Sequence, residues 1–131
     1  MRLLLDTHIW LWSLSDPAKL SRRVKSALTA AANELWLSPI SVWELLVLAE
    51  RGRIKLDAEP RRWVAEAIDS TPASEAVLSF EVAVRSREIM RAHADPADRF
   101  LVATALVYDL TLITADAALL DAKTCPVLRN R

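Results

Sequence analysis

The sequence predicts an α/β fold, a central parallel sheet with helices on both of its faces. Three observations carry that prediction. Short apolar runs alternate with longer segments of helical period. No Asn-Gly or Asp-Gly pair joins two of those runs into a hairpin. Four acidic residues, Asp6, Glu44, Asp98 and Asp116, recur where a strand or loop hands over to a helix. Such junctions of a parallel sheet open on one edge, so carboxylates far apart in the chain are expected to meet there.

Taken in order, Arg2 to Leu5 is an apolar run closed by Asp6 and reads as a buried first strand, with Asp6 capping the helix after it. Arg22 to Ala32, behind Pro17 and Ser21, has helical character. Glu34 to Leu37 reads as a second strand before a Ser38-Pro39 turn. The apolar segment from Val42 to Arg51 reads as a helix stopped by Gly52, which accepts the left-handed backbone that helix ends favour. Pro60 opens a helix to about Asp69. Ser79 to Ala92 reads as an amphipathic helix with Phe80, Val84 and Ile89 near one face. Asp95-Pro96 starts a helix to about Tyr108. Leu110 to Ala115 is a β-rich run, and a helical turn and a last strand near Pro126 to Leu128 complete the chain.

The 131 residues fit one domain spanning 1–131, and a hydrophobic content of 53% excludes a disordered chain. Seventeen basic residues balance seventeen acidic ones, so no overall field attracts nucleic acid. Any such contact falls to a local patch, for which Arg51, Arg53, Lys55, Arg61 and Arg62 are the candidates. A lone Cys125 fits a reducing cytoplasm. Asp6 and His8 interrupt the first apolar run, and Asp109 the stretch from Phe100 to Ala115, so neither a signal peptide nor a membrane span is expected. With Gly52 as the only glycine, no phosphate-binding loop can be written.

Each acid has a simple structural explanation. Asp6 and Asp116 suit helix or turn caps. Ser41-Val42-Trp43-Glu44 matches a capping box. Asp95-Pro96-Ala97-Asp98 supplies a cap, a first-turn proline and an acid that the helix dipole favours. Taken singly, capping outranks catalysis for all four. Their surroundings shift the balance. Glu44 has Ile40, Val47 and Leu48 one turn away, and Asp98 has Leu101 and Val102, so both belong to mostly apolar helix sides. If the four converge, each pair of charges about 6 Å apart costs roughly 3 kcal/mol at an effective dielectric near 20. A cap is worth only about 1 kcal/mol. The cluster then calls for protons or a cation, and all-oxygen ligands suit Mg²⁺ or Mn²⁺.

Around these acids, Thr114 lies two residues before Asp116 on a strand and shares its face, where it can orient a carboxylate. Ser41 reads as a cap. Arg99 is a candidate for substrate phosphate, with an ion pair to Asp95 or a neighbouring acid as the stronger reading. His8 and His93 have no second histidine or cysteine at zinc-ligand spacing and read as hydrogen-bonding residues. Of the tryptophans, Trp36 and Trp43 read as core, and Trp10 and Trp12 as a candidate dimer face.

The blocks LLLDTH (ending at His8), SPISVWE (Glu44), HADPADR (Arg99) and TLITAD (Asp116) resemble the PIN-domain ribonucleases, and more narrowly the toxins of VapBC-type toxin–antitoxin pairs. The resemblance runs from the first strand nearly to the C-terminus. It implies a three-layer α/β/α PIN-like domain with a central parallel sheet and Mg²⁺- or Mn²⁺-dependent cleavage of RNA, usually tRNA or rRNA. Asp6, Glu44, Asp98 and Asp116 match the family's acidic cluster, with Asp6 and Asp98 the first choice of metal ligands. Thr114 matches a supporting hydroxyl position, and Asp95 lies in the same block as a cap behind the ligands. The resemblance also implies a homodimer held inactive by a cognate antitoxin. The chain departs from the pattern at Ala97, where many relatives carry a bulky aromatic, and in its tail, which lacks their glycine and aromatic residues.

The expected reaction is in-line hydrolysis of a phosphodiester, leaving a 5′-phosphate and a 3′-hydroxyl. Two rivals stand beside it. An aspartate-nucleophile phosphotransferase would use Asp6, yet the residue two positions on is His8 rather than an acid. A non-catalytic interaction module on the same fold would tolerate loss of Asp98.

Overall fold

The computed structural model describes residues 1–89, 95–117, 119 and 124–131. Its five strands are β1 (Arg2–Leu5), β2 (Glu34–Leu37), β3 (Ala73–Glu75), β4 (Thr111–Thr114) and β5 (Val127–Arg129). They form one sheet in the order β3-β2-β1-β4-β5, every pair parallel. The helices are α1 (Thr7–Ser15), α2 (Arg22–Thr29), α3 (Pro39–Glu50), α4 (Pro60–Ser70), α5 (Phe80–Glu88) and α6 (Pro96–Tyr108), with a 3₁₀ turn at Pro17–Lys19. The parallel sheet covered on both faces is the architecture the sequence predicts.

Successive residues of a strand point to opposite faces, and the core divides accordingly. Leu3 and Leu5 of β1, with Ile113 of β4, pack with Ile9, Trp10, Val24 and Leu45 on one side. Leu4 and Leu112 pack with Val82, Leu101, Val102 and Ala105 of α5 and α6 on the other. Strands buried on both faces need continuous apolar runs, which is why Leu3-Leu4-Leu5 shows no alternation. Chain order reverses across the centre of the sheet. From β1 the chain builds outward through β2 and β3, then crosses to β4 and β5 on the other side.

Several boundaries and faces differ from the sequence reading. Helix α3 begins at Pro39 rather than Val42: Ser38 caps it, its hydroxyl accepting from the Ile40 amide at 3.0 Å. The proline fixes φ at the first helical position, so Ser38-Pro39 starts the helix instead of forming a separate turn. Ser41 is therefore not a cap. It lies inside the first turn, and its buried hydroxyl finds no partner among the described residues. Glu44 moves into the second turn, and the expected capping box does not form. The buried positions of α3 are Ser41 and Leu45, four apart, which leaves Trp43 55% exposed rather than in the core.

Helix α5 buries Val82 and Ser86, while Phe80 and Val84, expected inside, are exposed. Ser86 turns its hydroxyl back to the Ala83 carbonyl at 2.7 Å and leaves a small side chain against α6. The helix ends at Glu88. The expected continuation to Ala92, His93, and most of the helical turn after Asp116 lie outside the described residues. Trp10, expected on a dimer face, is fully buried, its indole N–H donating to Thr71 Oγ1 at 2.9 Å. Trp36 is half-buried, stacked on Tyr108 at 5.7 Å. Gly52 closes α3 with φ of 71°, as its position suggests, and Asp109 closes α6 in the same left-handed region at φ of 56°. Edge strand β3 has no counterpart in the sequence reading; three residues, Ala73-Ser74-Glu75, carry too little pattern. Among the described residues, no helix is long and apolar enough to cross a membrane.

Candidate active site

The reversal point between β1 and β4 is where an open α/β sheet leaves a crevice beyond the carboxyl ends of its strands. Asp6 directly follows β1, and Thr114 ends β4 two residues before Asp116. Helix α6 runs back toward β4, which brings its N-terminus, with Asp95 and Asp98, to the same edge. Glu44 enters from the second turn of α3. Asp6, Glu44, Asp95, Asp98 and Asp116 together line one pocket of about 430 Å³, along with His8, Trp12 and Ala115.

Asp6 is the most enclosed of the five, at 7% exposure. One carboxylate oxygen, Oδ1, accepts from the Thr7 amide at 2.7 Å and so caps α1. The other, Oδ2, accepts from the Thr114 hydroxyl at 2.7 Å. Thr114 Oγ1 in turn accepts from the Asp116 amide at 2.9 Å, so one buried hydroxyl ties the end of β4 to both acids. The Thr7 hydroxyl donates to Glu44 Oε1, which links α1 to α3 across the pocket. Thr7 was not singled out in the sequence. Its signal was a polar residue directly behind Asp6 in an otherwise apolar segment, too common a pattern to read.

Asp95 caps α6 as expected, accepting from the Ala97 amide at 2.9 Å, and Ala97 itself is buried. Asp98 sits in the first turn. Burial pushes its carboxyl up to about 7, and the negative charges of Asp95, Asp116, Asp6 and Glu44 add in the same direction. Burial also raises Asp6 and Glu44, partly opposed by their hydrogen bonds from Thr114 and Thr7. The charge repulsion anticipated from the sequence is thus present. Among the described residues no three of these side chains already surround one point at ligand spacing.

Two residues considered for the site lie elsewhere. Arg99 Nη1 donates to the Ser86 and Ile89 carbonyls, at 3.2 and 3.1 Å, tying α6 to the end of α5. Ser41 is buried in α3 and does not line the pocket. His8 makes no side-chain hydrogen bond among the described residues, contrary to expectation. Its exposed ring lies 5.6 Å from that of Trp12 at the pocket mouth.

Residues 3–124 match the family model of the PIN domain. The chain is 34% identical over 119 residues to Ribonuclease VapC22 of Mycobacterium tuberculosis, covering 88% of each protein. In three dimensions it is similar to a chain of VapBC2 from Rickettsia felis bound to a DNA fragment from their promoter, at a TM-score of 0.73, 16% identity and 98% coverage of both chains. It is likewise similar to a chain of DNA-bound VapBC from Salmonella typhimurium, at a TM-score of 0.72 and 17% identity, covering 100% of this chain and 99% of that one. With its four acidic blocks gathered at the reversal point of a parallel sheet, the chain belongs to the PIN-domain family.

Proposed function

We propose that this protein is a divalent-metal-dependent endoribonuclease, the toxin of a toxin–antitoxin pair. The observation that carries the reading is the convergence of Asp6, Glu44, Asp98 and Asp116 on one pocket at the sheet's reversal point. The 34% identity to a ribonuclease supports the activity, and the likeness to chains solved as VapBC complexes supports a cognate antitoxin as partner. A homodimer and a cytoplasmic setting go with that reading, as does tRNA or rRNA as substrate.

The donor set fits Mg²⁺ or Mn²⁺: it is all carboxylate oxygen, and burial, with repulsion among its members added, raises the proton affinity of three of them. Asp6, Glu44, Asp98 and Asp116 would hold the ion. Such an ion acidifies a water molecule and neutralises charge on a phosphodiester undergoing displacement. The chain's own part is positional. Thr7 and Thr114 fix both oxygens of Asp6, Thr7 also fixes Glu44, and Asp95 sets the first turn from which Asp98 projects.

The test is to map cleavage ends in total RNA with Mg²⁺ or Mn²⁺ for the wild type and for Asp98→Ala. New 5′-phosphate ends made only by the wild type, and abolished by EDTA, are expected. Cleavage that persists in excess EDTA, or in Asp98→Ala, overturns the reading.

A further inference from the structure

The carboxylate pocket shares two wall residues, His8 and Trp12, with a second and larger depression of about 980 Å³. Its walls are α1, the 3₁₀ turn, the loop after α3, and α4. A strand that delivers a phosphodiester to five carboxylates on a chain of zero net charge needs cations close to that pocket. The adjoining groove supplies Lys19, Arg53 and Lys55.

The five-residue basic patch anticipated from the sequence divides in three dimensions. Arg62 is engaged by Glu66 at 3.0 Å, and Arg61 lies on a different depression between α3 and α4. Arg53 lines the groove, Lys55 lines both the groove and the depression that holds Arg61, and neither forms an ion pair among the described residues. Lys19 reaches Asp16 at 3.8 Å and stands 5.6 Å from the Trp12 ring centroid. Of the groove's carboxylates, Asp16 and Glu66 therefore have cationic partners, and Asp57 lines the groove with no ion pair among the described residues. Ile54 and Trp63 add apolar surface to the same walls.

We infer that this groove is the path by which single-stranded RNA reaches the carboxylate pocket, with phosphates on Arg53 and Lys55 and a base against the exposed His8 ring. The inference rests on the nuclease reading of the pocket. Cations interleaved with aromatic and apolar surface suit a strand with unstacked bases, whereas a duplex presents mainly its phosphates.

The test compares Arg53→Gln/Lys55→Gln with Arg22→Gln/Arg23→Gln, which removes equal charge from α2 outside the groove. Binding of a fluorescein-labelled single-stranded oligouridine is titrated against salt, with Asp98→Ala added to every protein so that the strand is not cut. Two lost phosphate contacts lower the slope of log Kd against log salt by about 1.4, at about 0.7 for each contact. Each single variant gives half of that change, and the α2 control gives none. Without Asp98→Ala, the groove variant should raise KM for RNA and keep kcat.

An unchanged slope, or an equal loss in the α2 control, overturns the inference. So does a groove variant that binds RNA normally but no longer captures the antitoxin, which would assign the surface to a protein partner. The two readings fail separately. An unchanged slope beside normal wild-type cleavage removes the path alone. A lowered slope beside a wild type that never cuts removes the nuclease reading and leaves RNA binding in the groove.

Discussion

The two walls of the carboxylate pocket are built on opposite principles. On the β1 side, Asp6 is buried and Glu44 half-buried, and each accepts from the scaffold, through Thr7 and Thr114. On the α6 side, burial and four neighbouring negative charges all push the Asp98 carboxyl the same way, up to about 7. One wall has been oriented by the protein; the other holds a carboxyl against burial and, beyond that, against repulsion, both of which a bound cation would offset. The difference teaches where order in such a site originates. The strand ends supply geometry, and the helix N-terminus supplies unrelieved charge.

The largest effect comes from deleting one acid on each wall. Asp6→Ala and Asp98→Ala should each lower RNA cleavage by on the order of 10³-fold, the scale of losing a principal electrostatic group. Stability separates them. Asp6→Ala removes the α1 cap, worth about 1 kcal/mol, and strands the buried Thr114 hydroxyl at a further cost of about 1–3 kcal/mol. Asp98→Ala removes a source of repulsion and should leave the metal-free protein as stable or more so. Thermal melts in EDTA that move in the same direction for both variants would break the comparison.

A smaller effect isolates the orienting hydroxyls. Thr114→Val keeps the shape but leaves Asp6 Oδ2 and the Asp116 amide without their shared partner. Activity should fall by about 10–100-fold, as when groups behind metal ligands are lost, and Thr114→Ser should recover most of it. Thr7→Val should act at the low end of that range, because it takes the hydroxyl donor from Glu44 and leaves Asp6 both of its own donors. Steady-state cleavage rates at saturating metal check both. Thr114→Val with wild-type kinetics would show that Asp6 needs no fixing.

How legible the molecule was follows the same division. The strands β1, β2 and β4 were readable because both of their faces are buried and their composition shows it. Asp95 was readable as a cap because its proline stands in the first helical position. Faces of short helices were not: Phe80 and Val84 look inward by hydrophobicity, yet the helix start at Ser79 and the small Ser86 turn Val82 inward instead. Trp43 misled for a related reason. Moving the start of α3 back to Pro39 changes which residues meet the sheet, because the cap is Ser38, read from the sequence as part of a turn, and not Ser41. The acids could be grouped from their junctions, but their unequal support could not. Thr7 touches Asp6 locally and Glu44 across 37 positions of chain, and only the second contact depends on the fold.

The subtlest test concerns pH and asks whether the α6 wall is strained in the way its geometry implies. The folded-state carboxyl of Asp98 lies above its ordinary value of 3.8, at about 7. Between these values the native state binds more protons than the unfolded chain, so stability falls as pH rises. The contribution from protonated Asp98 is full below about pH 4 and is lost as pH passes through about 7. Asp6 and Glu44, also raised, act in the same direction. Metal-free wild type and Asp98→Asn should therefore melt together near pH 4, where both carry a neutral group at this position. By pH 8 the variant should melt higher, by several degrees. Saturating Mg²⁺ or Mn²⁺ should shrink or reverse that gap, because the cation binds the ionised carboxylate and stabilises only the native state. Parallel melting curves across this range in EDTA would mean that Asp98 ionises without penalty, and the contrast between the walls would reduce to their hydrogen bonds.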